Sequence, residues 1–134
     1  MKLITILVVL IVLSNCAGSP ARVNSMSTEE LAIQSDFALC NAYNFRQKDN
    51  VRNELKKRNV LSDFDWRLID TESLGIGMSE LALICTKGGV IPGFGTVNVT
   101  TTSYGVNKQY VYEDAFGNRQ YIYVENGKVT SWQY

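Results

Sequence analysis

The sequence predicts an α+β domain in which short N-terminal helices pack on a C-terminal antiparallel β-meander of three to four strands. Apolar residues recur with a helical period up to residue 87, and from residue 96 onward they alternate with polar residues. The Asn126-Gly127 pair, between two alternating segments, is the strongest short-range signal for a β-hairpin. We therefore expect a single domain over residues 28–134, with helices in 28–87 and the sheet in 96–134.

The helical half begins with a capping box. Ser27 provides the N-cap side chain, and a glutamate stands three residues later, as that motif requires. We expect one helix over residues 28–44 that is apolar on two sides and largely buried, with Cys40 pointing inward beside Ile33 and Phe37. Further short helical segments are expected at residues 51–58, from 63 onward and at 80–87.

The sheet register follows from the Asn126-Gly127 turn. A two-residue loop places Glu125 opposite Lys128, and continued pairing places Tyr121 opposite Trp132. One face of the sheet is then aliphatic and is expected to cover the helices. Its members are Val111, Ile122, Val124 and Val129. The strands are expected at residues 97–104, 109–113, 119–125 and 128–134.

The opposite face of the predicted sheet is aromatic and is expected to meet solvent. Its members are Tyr110, Tyr112, Tyr121, Tyr123 and Trp132. Tyrosine and tryptophan combine an apolar body with a polar tip, which suits a surface for docking a partner protein. Two other interpretations stay open: cross-strand aromatic pairs that stabilise a solvated sheet, or an inverted sheet with the aromatic residues in the core.

The N-terminus has the pattern of an export signal. Lys2 precedes an apolar run over residues 3–13, which is shorter than the ~20 residues that a membrane-spanning helix needs. The run stops at Cys16, and this arrangement resembles the signal of bacterial lipoproteins, in which such a cysteine becomes the first mature residue and carries the lipid. We expect a signal peptide over residues 1–15 and a lipidated tether over residues 16–27.

Lipid on Cys16 would attach the chain to a membrane of the cell envelope. Ala17 follows the cysteine and is not aspartate, which by resemblance to the lipoprotein sorting pattern implies the outer membrane, facing the periplasm. Asn15 departs from the small residue that usually precedes such a cysteine. The alternative is cleavage at the small-x-small site of residues 19–21, which would leave a soluble secreted or periplasmic chain.

Two cysteines remain for the folded domain if Cys16 carries lipid. Cys40 and Cys85 could bridge in an oxidising compartment, and such a disulfide would stabilise the domain by roughly 2–4 kcal/mol. The alternative is a pair of buried free thiols, which behave as small hydrophobic groups.

The composition argues against nucleic-acid binding and against catalysis. Basic and acidic residues number 13 each, so the formal net charge is zero and no basic stripe is present. The sequence contains no histidine, the commonest general base and metal ligand. Asp63, Asp65 and Asp70 are spaced so that they do not share a helix face, and Ser79 is expected to cap a helix. We therefore expect no enzyme, cofactor, metal or small-molecule substrate.

Several motifs resemble a known family. Residues 75–79, Gly-Ile-Gly-Met-Ser before a short helix, resemble the opening of the SmpA/OmlA-like lipoprotein domain of the BamE type. Residues 54–58 with Asp65-Trp66, and the tail segments 97–100, 104–106, 109–112 and 121–133, are similar to small uncharacterised proteobacterial proteins with such a domain. The resemblance implies helices before a small antiparallel sheet and an envelope location. It implies no catalytic residues.

Two functions are consistent with these observations. The first is a membrane-anchored envelope lipoprotein whose non-catalytic domain binds a protein or helps assembly, with a partner of unknown identity. The second is an inhibitor or immunity-type module that binds an envelope enzyme.

Overall fold

Serine side chains explain where most of the helices begin. In the computed structural model, which describes residues 18–91 and 93–134, six helices precede four strands. Five of these helices have a serine N-cap whose Oγ accepts a hydrogen bond from a backbone N–H in the first turn. Each such cap stabilises its helix by about 1 kcal/mol. The predicted α+β class, with the sheet at the C-terminus, is confirmed.

The helices are α1 (Pro20–Asn24), α2 (Thr28–Ala32), α3 (Asp36–Phe45), α4 (Asp49–Arg58), α5 (Asp63–Asp70) and α6 (Glu80–Lys87). None of these described helices has both the length and the apolar character needed to cross a bilayer. The strands are β1 (Gly95–Thr102), β2 (Gly105–Glu113), β3 (Arg119–Glu125) and β4 (Lys128–Gln133). They form one antiparallel sheet in the order β1-β2-β3-β4.

The single helix predicted over residues 28–44 is wrong, because the chain breaks between α2 and α3. Ser35 caps α3 by accepting a hydrogen bond from the Ala38 N–H at 3.1 Å, and such local bonds compete with a continuous helix. Because α2 and α3 are separate helices, residues on the two sides of the break do not share the face that one continuous helix would give them. Cys40 is fully buried as expected, but Ile33 and Phe37 are 82% and 51% exposed.

Residues 20–24 belong to the folded domain, although the sequence suggested a tether there. They form α1, which packs against α3. Val23 is fully buried, and the Asn24 side-chain amide donates to the Ala42 carbonyl at 2.8 Å. Cys16 and the predicted signal peptide lie outside the described residues.

One hydrophobic core joins the helices to the sheet. Leu39 of α3 and Leu83 of α6 are fully buried, and Ile122 and Val124 of β3 are at most 1% exposed. The two helices also contribute Cys40 and Cys85. Their Cα atoms are 4.2 Å apart and their Sγ atoms lie at bonding distance, so the residues form a disulfide-compatible pair.

The predicted hairpin is confirmed at its turn and corrected beyond it. Asn126 and Gly127 both have positive φ, as a type I′ turn requires, and Glu125 lies opposite Lys128. A β-bulge then shifts the register, so that Tyr123 faces Ser131 and Trp132 faces Ile122. An inserted residue sends every later side chain to the other face, so Trp132 points toward the helices.

The register of β2 against β3 also differs from the prediction. A five-residue loop, 114–118, leaves Glu113 opposite Arg119, and Tyr110 therefore lies opposite Ile122. Val111 lies opposite Tyr121 on the other face. This loop has the predicted length, and its five residues place Tyr110 and Tyr112 on the same face as Ile122, not on the opposite face as expected.

Residues 77–80 connect the helices to the free side of β4. The Gly77 N–H donates to the Val129 carbonyl at 2.8 Å, the Val129 N–H donates to the Met78 carbonyl at 2.9 Å, and the Glu80 N–H donates to the Gly127 carbonyl at 2.9 Å. Ser79 also forms a bridge with Lys128. This short segment therefore covers the start of the outer edge of β4, at residues 127–129.

Asp65 holds the starts of α5 and α6 together. Its carboxylate is 3% exposed and accepts from the Ser62 N–H at 3.2 Å, the Ser79 N–H at 2.9 Å and the Ser79 hydroxyl at 3.0 Å. Ser62 and Ser79 are the N-caps of the two helices. A single buried carboxylate thus satisfies donors at both helix starts.

We expect Asp65→Ala to lower the free energy of unfolding by about 2–4 kcal/mol, because it removes one capping partner and leaves buried N–H groups without acceptors. Urea unfolding followed by circular dichroism measures the change. Asp63→Ala is the matched control in the same helical turn, and it should cost less than about 1 kcal/mol because only a helix-dipole interaction is lost. Equal losses in the two variants would contradict the role assigned to Asp65.

Candidate protein-interaction surface

The five aromatic residues predicted to form one docking face are divided between the two faces of the sheet. Tyr110, Tyr112 and Trp132 lie on the side of the helices and pack against the core. Tyr121 and Tyr123 lie on the opposite side, which we call the outer face. The predicted face was wrong for the first three. The bulge in the β3–β4 pair turns Trp132 inward, and the pairing of Glu113 with Arg119 places Tyr110 and Tyr112 on the face of Ile122.

Tyr110 forms part of a polar cluster between the sheet and α6. Its hydroxyl donates to the Glu80 carboxylate, which also accepts from Lys108 Nζ at 2.7 Å. Tyr110 is only 6% exposed. Burial and the hydrogen bond to Glu80 raise the pKa of Tyr110 well above its ordinary value. The cluster joins the start of α6 to β2, and all three side chains are satisfied within it.

Tyr112 makes a similar connection at the other end of α6. Its hydroxyl donates to the Gly88 carbonyl at 2.9 Å, and its ring stacks on Tyr110 with centroids 6.2 Å apart. Burial and the nearby Glu80 charge raise the pKa of Tyr112 above its ordinary range. The Lys87 ammonium lies 5.4 Å from the centre of the Tyr112 ring, and burial lowers the pKa of that lysine. These contacts support the fold rather than a docking face.

The outer face retains two of the predicted residues and adds a valine. Tyr121 and Tyr123 are half-buried, and Val111, opposite Tyr121, is 8% exposed. The Tyr123 hydroxyl accepts from Gln109 Nε2 at 3.2 Å and from Gln133 Nε2 at 2.9 Å. These two amides hold the phenol tip across neighbouring strands. The result is a preformed strip of apolar rings with polar tips.

A shallow cleft of about 400 Å³ lies beside this strip on the outer face. Val111 and Tyr121 supply its apolar wall, and Glu113 and Arg119 supply charged groups. The Arg119 Nε donates to the Glu113 carboxylate at 2.9 Å, which raises the pKa of Arg119. The cleft therefore combines an apolar wall with a pair of opposite charges at its rim, as protein interfaces often do.

The strand β1 is a second exposed feature. A strand was predicted there, but its exposure to solvent was not. Seven of its eight residues are exposed, including Val97 and Val99 at 40% and 57%. The strand lies beyond the helical layer, so its apolar side chains meet solvent. Its sequence, Gly-Thr-Val-Asn-Val-Thr-Thr-Thr, contains no charged residue, and that feature could have identified it.

The acidic residues of α5 have separate structural roles. Asp65 caps two helices, and Asp70 forms a two-pronged ion pair with Arg52 at 2.6 and 3.0 Å. The Arg52 guanidinium holds the pKa of Asp70 below its ordinary value. Arg52 also lies 4.4 Å from the centre of the Trp66 ring. Within residues 18–91 and 93–134, no group of three or more His, Cys, Asp or Glu side chains could hold a metal ion.

No protein-family model matches this chain, and no curated protein or solved structure is significantly similar to it. The resemblance to the SmpA/OmlA-like domain therefore stays a prediction.

The buried tyrosines predict a loss of stability at alkaline pH. The pKa values of Tyr110 and Tyr112 are raised in the folded state, so their contribution is fully present below about pH 10 and is lost as the pH rises further, because the unfolded chain ionises first. Urea midpoints measured from neutral to alkaline pH should fall less steeply in the Tyr110→Phe/Tyr112→Phe variant than in the parent. Tyr104→Phe, at a side chain that is 93% exposed, is the control and should keep the parental slope. An unchanged slope in the double variant would refute the assignment.

Proposed function

We propose that this protein is a lipid-anchored lipoprotein of the bacterial envelope whose folded domain binds another protein and does not catalyse a reaction. The anchor is lipid on Cys16, and the docking surface is the outer face of the sheet around Tyr121 and Tyr123. A domain of the SmpA/OmlA type, with helices packed on an antiparallel sheet, is part of this proposal.

The sequence and one structural feature support the envelope location. Cys16 stands directly at the end of an apolar run that is too short to span a bilayer. Cys40 and Cys85 form a disulfide-compatible pair, which suits an oxidising compartment such as the periplasm. The outer membrane, facing the periplasm, is the location that Ala17 favours.

The half-exposed pair Tyr121 and Tyr123, on the face of the sheet that no helix covers, is the observation that carries the binding proposal. The helices pack on one face of the sheet and leave this strip on the other. Tyrosine provides a large contact area at a low cost in conformational entropy, and Gln109 and Gln133 already hold the Tyr123 hydroxyl in place. A partner that covers the strip would bury the Tyr121 ring and the preorganised Tyr123 ring together with the cleft beside them.

The binding proposal is tested with the double variant Tyr121→Ser/Tyr123→Ser in the full chain, affinity-purified from native membranes. We expect the variant to lose at least about tenfold in the yield of the specific partner, because paired aromatic contacts are typical hot spots. Tyr104→Ser, an exposed tyrosine in the β1–β2 turn, is the matched control and should retain the partner. If the double variant is folded and recovers the same partner at the parental yield, the outer face is not the docking surface.

The anchor is tested separately with Cys16→Ala. We expect this variant to move from the membrane fraction to the soluble fraction, and we expect mass spectrometry of the parent to find an acylated N-terminal cysteine. The same spectrum, recorded without reductant, reports whether Cys40 and Cys85 are joined. A Cys16→Ala chain that stays in the membrane fraction would contradict lipid anchoring.

A further inference from the structure

The two edge strands of the sheet, β1 and β4, differ in whether other residues bond to their outer backbone groups. The outer edge of β4 is hydrogen-bonded to residues 77–80. Among the described residues, by contrast, no strand pairs with the outer edge of β1. An edge strand presents a row of backbone donors and acceptors to any other strand, and proteins usually block such an edge.

β1 contains none of the features that block strand pairing. It has no charged residue, no proline and no bulge, and its register with β2 runs without interruption from Gly95 to Thr102. Two of its side chains on the helix side, Val97 and Val99, are substantially exposed. An uncharged, regular edge of this length, rich in β-branched residues, favours pairing with a further strand.

The hydrogen bonds of the β1–β2 hairpin identify which groups point outward. The Glu113 N–H donates to the Phe94 carbonyl, whereas the N–H and carbonyl of Val106 both bond to Asn126 and not to the facing Thr101. In an antiparallel pair the bonded and non-bonded positions alternate. The even-numbered residues of β1 therefore bond to β2, and the backbone groups of Val97 and Val99 point to the open edge.

The sequence of β1 is a palindrome around Asn98. Residues 96–100 read Thr-Val-Asn-Val-Thr in both directions. Two copies of this strand, run antiparallel about a two-fold axis at Asn98, would match valine with valine and threonine with threonine. The same register places the outward backbone groups of Val97 opposite those of the second copy's Val99.

We propose that a second copy of this chain pairs with β1 and joins the two sheets into one of eight strands. The interface is isologous, so it closes as a dimer. Each copy uses its β1 edge in this pairing, and residues 77–80 already bond to the start of the other edge strand, at Gly127 and Val129. No like charges meet across the axis, and the outer faces of the two copies become one continuous surface. This inference stands on β1 and does not depend on the proposed docking partner.

Engineered cysteines in the full chain, oxidised in native membranes, test both the occupant and the register. Asn98→Cys places two thiols opposite each other at a non-hydrogen-bonded pair, where Cα atoms are about 4.5 Å apart and a disulfide can form. We expect a covalent homodimer on non-reducing gels, beyond the background of the parental chain.

Thr96→Cys is the matched control on the same exposed face. Its two copies would lie about 14 Å apart along the strand, so it should not cross-link alone, whereas a mixture with Thr100→Cys should.

Adding Val99→Pro to Asn98→Cys removes an outward N–H that β2 does not use, and should abolish the cross-link. Val99→Thr keeps that N–H and should retain it. Val99→Lys provides a second edge-blocking variant that keeps the backbone N–H, and it too should abolish the cross-link.

Three results would overturn the proposal. The first is that Asn98→Cys forms no homodimer. The second is that Asn98→Cys and Thr96→Cys cross-link equally. The third is that the cross-link persists in the folded edge-blocking variants. If Asn98→Cys instead links to a different protein, the second copy is wrong and another chain occupies the β1 edge.

Discussion

Four residues, Gly77 to Glu80, provide the constraint on which the rest of the structure depends. Their backbone pairs with the β3–β4 hairpin, Met78 is fully buried, and Ser79 caps α6 while bonding to Asp65 of α5. Gly77 has a φ of 86°, which residues other than glycine rarely adopt. The segment therefore joins two helices to the sheet through backbone and side-chain hydrogen bonds.

This segment determines which parts of the sheet the helices cover and which parts stay open to solvent. It brings α6 over β2, so Glu80 meets Lys108 and Tyr110, and these side chains become part of the layer contact. It also covers the start of the β4 edge and leaves β1 beyond the helices. The outer face and the β1 edge both lie outside this layer contact and are open to other molecules.

The parts of the fold that could be predicted are those that depend on residues close together in the sequence. The caps at Ser27 and Ser79 and the turn at Asn126-Gly127 were predicted correctly, because each depends on residues within one turn of the chain. The errors arose where a single residue changes the register. Neither the break at Ser35 nor the bulge in the β3–β4 pair has a local signal strong enough to decide it.

The site was less predictable than the fold for the same reason. Tyr121 and Tyr123 were correctly assigned to the solvent side, but Tyr110, Tyr112 and Trp132 turn inward to the helical layer. The sequence by itself determined the α+β class, the helix starts at Ser27 and Ser79, the hairpin turn and the expectation of a lipidated cysteine, since these depend on local patterns. Only the tertiary structure decided which aromatic residues are buried and which edge is open, because a face or an edge exists only when distant segments pair.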